Sequence, residues 1–215
     1  MKRRDFSLQL AAAGLAMASG AQAQAQGAPV EGQQYVRLSP PVPVSLAPGK
    51  TVEVVEFFWY ECPHCFAFDP LLEAWLKRQP PDLEFQRVPV GFTARHQLTQ
   101  KLYYALQEMG EGEKLHKKIF NAIHLQNVRL LTEAQMVAFV SANGVDGAKF
   151  SQAYRSFGVA TACARAKQLT DAYKIDGVPA LGVQGRYYTA ASLAGSHERA
   201  LQVTDYLVAR VRKGG

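Results

Sequence analysis

The segment Thr51-Val-Glu-Val-Val-Glu-Phe-Phe-Trp-Tyr60 constrains the fold more than any other stretch of the chain. It is β-branched and aromatic almost without a break, and Pro48-Gly49 precedes it. Such a run predicts a strand buried on both faces, in the centre of an α/β sheet. Cys62-Pro63-His64-Cys65 follows at once, and Phe66–Gln79 carries apolar residues at helical spacing until Pro80-Pro81 stops it. Leu83–Val90 is a second strand candidate, so the chain begins as β-α-β.

The next seventy or so residues change character. From Arg95 to Cys163 no strand is convincing, and Leu98–Gly110, Lys114–His124, Thr132–Ala142 and Gly147–Phe157 all read as helices. Thr132 and Gln135 have the spacing of a capping box. Ala162–Tyr173 reads as a further helix, beginning close to Cys163. Ala180–Val183 and Arg186–Thr189, separated by Gln184-Gly185, read as a hairpin, and Ser196–Arg210 as a closing amphipathic helix. Tyr35–Leu38 is a candidate edge strand. The simplest account is an α/β domain interrupted by a helical insertion.

Composition excludes several classes. With 48% hydrophobic and 20% charged residues the chain is no disordered tail, collagen or coiled-coil rod. Three cysteines are too few for a disulfide-stapled mini-protein. The N-terminus has the layout of an export signal: basic Met1–Arg4, an apolar Leu8–Ala18 too short to span a bilayer, then Ala21-Gln22-Ala23 and Ala23-Gln24-Ala25. Cleavage after residue 23, or alternatively after 25, removes it. Arg3-Arg4 leaves Sec and twin-arginine export both open. The formal charge of +6 then falls by two, and the basic residues are scattered. Lys114, His116, Lys117 and Lys118 read as a solvated helix face. Nucleic-acid binding is therefore disfavoured.

Cysteines three apart on a first helical turn bring their sulfurs within bonding range. Cys62 would sit among unpaired N–H groups at the positive end of the helix dipole, which stabilises a thiolate. Pro63 suits the first helical position, where no N–H is needed. His64 adds charge or dipole beside the sulfur. A stabilised thiolate favours the dithiol, so the Cys62–Cys65 disulfide would be a strong donor. Other uses of CxxC fit less well. Zinc requires about four ligands and there is no second pair. A c-type haem requires His where Phe66 stands. A purely structural disulfide would close a loop too short to constrain the unfolded chain much.

Glu56-Phe-Phe-Trp-Tyr-Glu-Cys-Pro-His-Cys65 resembles the active-site stretch of the DsbA family, periplasmic thiol:disulfide oxidases of the thioredoxin superfamily. Pro-His between the cysteines is that family's usual dipeptide. Pro70 resembles a helix-kinking proline of the superfamily, and Gly177-Val178-Pro179-Ala180 its loop with a cis proline. The resemblance covers the chain from about Tyr35 onward. It implies a thioredoxin fold over 24–94 and 164–215 with an all-helical insertion at 95–163. It implies Cys62 as solvent-facing nucleophile, Cys65 as buried resolving partner, His64 as tuner, and a cis Pro179 against the sulfurs. Val178 would offer backbone groups to an extended substrate.

The resemblance further implies that Glu56 assists proton transfer to the inner cysteine, with Arg87 as its basic partner. Glu61 departs from the family pattern, where the residue is apolar; it is expected to point to solvent and raise the Cys62 pKa slightly. Cys163 reads as a small buried hydrophobe, and His96, His116, His124 and His197 as surface or capping residues. Trp59 and Tyr60 serve core packing or substrate contact. No cofactor or metal is implied. Unfolded or reduced exported proteins would be substrates, a DsbB-like inner-membrane quinone oxidoreductase would reoxidise the pair, and the chain would be a monomer. Two rivals stand beside this: a reductase or isomerase of the same superfamily, and a non-enzymatic CxxC metal-delivery module.

Overall fold

The structure, a computed structural model, describes residues 27–214. The export signal and its cleavage sites lie outside the described residues. Five strands form a mixed sheet in the order β1-β5-β4-β2-β3: β1 (Val36–Arg37), β2 (Val52–Phe58), β3 (Leu83–Pro89), β4 (Ala180–Val183) and β5 (Tyr187–Ala190). β2 runs parallel to β3 and antiparallel to β4. Every residue of β2 is buried. Val52 and Val54 pack against Phe68, Leu72 and Trp75 of α1 (Pro63–Leu76) and Leu201 and Leu207 of α8 (His197–Arg212). Val55 and Phe57 point the other way, onto Val88, Tyr173 and Ala180. This period-2 alternation between two apolar layers is why the run is continuous rather than half polar. Each such aliphatic or aromatic side chain contributes about 1.5–3 kcal/mol by leaving water.

The β4–β5 hairpin turns through Gln184 and Gly185, both at positive φ (50° and 61°). Gly185 has a second constraint: a Cβ there would lie 1.9 Å from the Val42 carbonyl oxygen. The short helix α7 (Ala191–Ala194) links β5 to α8.

Between β3 and β4 lie α2 (Ala94–Glu108), α3 (Gly112–His124), α4 (Glu133–Ala142), α5 (Gly147–Tyr154) and α6 (Phe157–Ala172). Thr132 and Gln135 do form the capping box at α4. Leu102, Leu106, Leu115, Ile119, Phe120, Met136 and Phe150 form their shared core. That core also includes Phe58, Tyr60, Cys62 and Cys65, so the CxxC sits where the helical layer meets the end of β2.

Two helix limits differ from the sequence reading. α5 ends at Tyr154, and α6 begins at Phe157 because the Ser156 side chain accepts from the Val159 N–H. Cys163 is therefore within a helix rather than at its start, and is half-buried. α6 spans residues 163 and 164.

Candidate active site

β2 delivers Cys62 to the start of α1. Cys62 is the N-cap, its sulfur accepting from the Cys65 N–H at 3.4 Å, and Pro63 occupies the first turn. Both thiols are free. The two sulfurs are placed in opposite surroundings. Cys62 is lowered from 9.0 to about 6, first by a hydrogen bond from the Cys65 thiol. Burial opposes this, while the N–H groups of Cys65 and His64 and the charge of His64 add to it. Cys65, with none of its surface exposed, is pushed well above its ordinary value, first by burial and then by its neighbour Cys62. Cys62 itself keeps only 7% of its surface in solvent, less than a freely presented nucleophile. The exposed residues at its flank are Pro63 and His64.

The loop before β4 closes over the sulfur. The Val178–Pro179 peptide is cis, and the Cys62 thiol donates to the Val178 carbonyl at 3.5 Å. The antiparallel register that sets Ala180 against Phe57 brings this loop to the CxxC end of β2. A cleft of about 520 Å³ lies beside it, lined by His64, Val178, Pro179, Tyr188, Leu193 and His197.

Beneath the pair lies a charged network. The β2–β3 register places Glu56 opposite Arg87, and Arg87 Nε donates to Glu56 Oε2 at 3.1 Å with both side chains buried. Arg87 also bonds Glu73 and stands 3.8 Å from Asp69. Burial pushes Glu56 up to about 7, Arg87 only partly offsetting it. Burial works against the Arg87 charge too, but Glu56 and Glu73 outweigh it and hold the guanidinium ionised. Glu56 charge is in turn one of the influences that raise Cys65.

Two histidines expected at the surface, His116 and His124, and an aspartate not singled out, Asp69, add to the network. His116, taken there for part of a solvated face, is only 6% exposed. Its Nδ1 lies 2.9 Å from the Tyr60 hydroxyl and its Nε2 3.2 Å from Asp69. Burial keeps it below its ordinary value, which favours the neutral ring; in that form Nε2–H donates to Asp69 and Nδ1 accepts from Tyr60. The lysines around it in sequence alternate with this inward position at helical spacing. Asp69 had a legible signal, an acid four residues after Cys65 and so on the same buried face of α1. His124 is no surface residue either: Nε2 donates to the Tyr60 carbonyl at 2.8 Å and its ring stacks on Phe66. Tyr60 is buried, whereas Trp59 stacks on His96 and donates to Thr99. His197 lines the cleft near His64, their ring centroids 6.4 Å apart.

Glu61 corrects an expectation. Its side chain is 12% exposed, not turned to solvent, because Arg95 at the start of α2 binds its Oε2. Its Oε1 is buried without a hydrogen-bond partner. The Arg95 charge sits against the carboxylate, and Glu61 is not among the leading influences on Cys62. Cys163 is raised to about 11 by burial and so stays a thiol at neutral pH. Among the described residues no group of three or more His, Cys, Asp or Glu is arranged to hold a metal ion.

Residues 84–201 match the family described as DSBA-like thioredoxin domain. The chain is 45% identical over 216 residues to the thiol:disulfide interchange protein DsbA of Bordetella parapertussis, spanning 99% of this chain and 100% of that one. The chain belongs to the DsbA family. DsbA of Pseudomonas aeruginosa is 41% identical over 200 residues, covering 92% and 93% of the two chains. Its crystal structure matches with a TM-score of 0.81 at 39% identity, over 86% of this chain and 95% of that one. The oxidoreductase DsbA of Xylella fastidiosa matches with a TM-score of 0.81 at 32% identity, over 87% and 100%. As a DsbA-family chain this protein is a thiol:disulfide oxidoreductase of thioredoxin fold with added helices.

Proposed function

We propose that the protein is a periplasmic oxidase that donates the Cys62–Cys65 disulfide to newly exported proteins. A substrate thiolate attacks the Cys62 sulfur, and Cys65 leaves and takes up a proton. A second substrate thiolate then attacks the substrate sulfur of the mixed disulfide, and Cys62 leaves as a thiolate. The substrate loses two electrons and the CxxC gains them. One observation carries this direction: Cys62 is lowered to about 6 while Cys65 is pushed far up. At pH 7 a thiol at about 6 is ~90% ionised, against ~1% for one at 9.0, which tilts exchange toward the dithiol about tenfold.

Position supports a role for each neighbour of the pair. His64 and the helix N-terminus stabilise the leaving thiolate. Glu56, buried and near neutrality, supplies or receives the Cys65 proton, with Arg87 holding it in place. Val178 offers its carbonyl to an extended substrate beside cis Pro179. The division into a thioredoxin-like part at 24–94 and 164–215 and a helical insertion at 95–163 belongs to the same reading. So do export by a cleaved leader, a monomeric state, and reoxidation by a DsbB-like quinone-linked membrane protein.

The test is oxidative refolding of a reduced multi-cysteine protein by the pre-oxidised enzyme. One disulfide should appear in the substrate per enzyme disulfide consumed. Transfer in the opposite direction at equilibrium would favour the reductase reading. Stoichiometric bound metal shielding both thiols would favour the metal-delivery reading.

A further inference from the structure

One guanidinium beneath the cysteine pair is shared among several carboxylates. α1 carries Cys65, Asp69 and Glu73 at a spacing of four, so all three lie along one side of the helix. The β2–β3 register sets Glu56 beside Arg87. Arg87 donates from Nε to Glu56 and from Nη2 to Glu73, and the same Nη2 stands 3.8 Å from Asp69 Oδ1. Asp69 is held in that position from its far side. Its Oδ1 also lies 3.2 Å from His116 Nε2 on α3, while His116 Nδ1 lies 2.9 Å from the Tyr60 hydroxyl. Phe58 and Phe120 meet the imidazole edge to face, with ring centroids 5.4 and 5.1 Å away. Tyr60, His116 and Asp69 are all buried, and the exchange steps described above use none of them. The remaining groups around Arg87 compete less. Glu113 of α3 stands 3.8 Å from Nη1 but is 82% exposed, where water screens it. Burial raises Tyr103 to about 12 and Tyr60 well above its ordinary value, so both stay neutral phenols.

On the basis of the donor function and the Glu56 role given above, we infer from this geometry that Asp69, anchored by His116, is a positioning residue for the proton that Cys65 takes up as it leaves. One positive charge cannot neutralise Glu56, Asp69 and Glu73 together in a dry interior. Asp69 and Glu73 claim the Nη2 edge of the guanidinium, and Glu56, the most deeply buried of the three, is the carboxyl that keeps a proton. The Asp69 charge is the larger of the two like charges that push Glu56 up. When a substrate thiolate breaks the Cys62–Cys65 bond, the electron pair of that bond goes to the Cys65 sulfur. The Glu56 proton passes to this sulfur, leaving a Glu56 carboxylate beside Arg87, and water later returns a proton to Glu56. Without the Asp69 charge, Arg87 favours ionised Glu56, and the proton is gone before Cys65 leaves.

Asp69→Asn tests this, because the amide oxygen can still accept from His116 Nε2–H while the charge is gone. Glu73→Gln removes the other like charge from a half-exposed position, where substitution is tolerated. Carbon-13 resonances of the glutamate carboxyls in the oxidised protein, with Glu56 assigned by its loss in Glu56→Gln, read the Glu56 midpoint. Asp69→Asn should lower that midpoint by about one unit, and Glu73→Gln by less. Single-turnover oxidation of dithiothreitol is the second readout. At pH 7 the protonated fraction of Glu56 would fall from ~50% to ~10%, so the ratio of the Asp69→Asn rate to the wild-type rate should drop about fivefold between pH 5 and pH 7. Taking the ratio at each pH cancels the ionisation of the dithiol. A merely structural residue would move neither the midpoint nor the slope of this ratio with pH, and Asp69→Glu, which restores the charge, should bring both back toward wild type. Wild-type midpoints in both variants, or a ratio flat in pH, would overturn the role of Asp69 while leaving the donor function standing. A wild-type enzyme that fails to oxidise dithiothreitol would overturn the donor function, and the role of Asp69 with it.

Discussion

Replacing Cys65 by alanine removes the largest single influence on the Cys62 thiolate, the hydrogen bond from the Cys65 thiol. The helix N-terminus survives: the N–H of residue 65 still reaches the Cys62 sulfur at 3.4 Å, and the N–H and charge of His64 remain. A hydrogen bond to a charged group contributes about 1.5–3 kcal/mol, or roughly one to two pKa units. The Cys62 midpoint should therefore climb from about 6 to neutrality or above. The ionised fraction at pH 7 would fall from ~90% to between about one half and one tenth. Iodoacetamide alkylation, followed as a rate against pH, reads this directly. The midpoint is the quantity to compare, because a more basic thiolate is intrinsically more nucleophilic and lifts the plateau. A Cys65→Ala midpoint still near that of wild type would refute the reasoning, leaving the backbone donors and His64 as the whole cause.

His64→Ala should shift the same midpoint upward by less, since the His64 charge ranks below the thiol and the backbone donors; a larger shift than Cys65→Ala would reverse that ranking. His116→Leu strips partners from both Tyr60 and Asp69 in the interior and should cost about 2–4 kcal/mol in urea unfolding, whereas an unchanged transition would show the contacts to be idle. Glu56 is raised in the fold from 4.5 to about 7, so its contribution to stability is fully present below its unfolded value and is lost as pH rises through about 7. The reduced protein should accordingly lose stability between those limits relative to Glu56→Gln, and parallel pH profiles for the two would contradict it.

What could be read from the sequence was what is encoded locally. The buried strand, the CxxC at a helix start, the capping box of α4 and the Gln184-Gly185 turn each announce themselves within a few residues, and the structure has all of them. What failed was encoded by register and packing. Nothing near Glu61 in the sequence marks it as turned inward, because its partner, Arg95, lies 34 residues away and is brought in by the start of α2. His116 was lost among lysines because its inward partners, Tyr60 and Asp69, come from two other elements. Glu56 could be singled out as a carboxylate in an apolar run, but only the β2–β3 pairing sets it beside Arg87. The Ser156 cap is a single local signal in a short break between two helices.

The thiolate at the head of α1 is the hinge of this account, and ultraviolet titration of the reduced wild-type protein measures it most directly. With Cys65 far above its ordinary value and Cys163 at about 11, only Cys62 should ionise in the lower range. The absorbance of one thiolate should therefore appear with a midpoint of about 6. A first ionisation no lower than that of free cysteine, about 8.5, would contradict it.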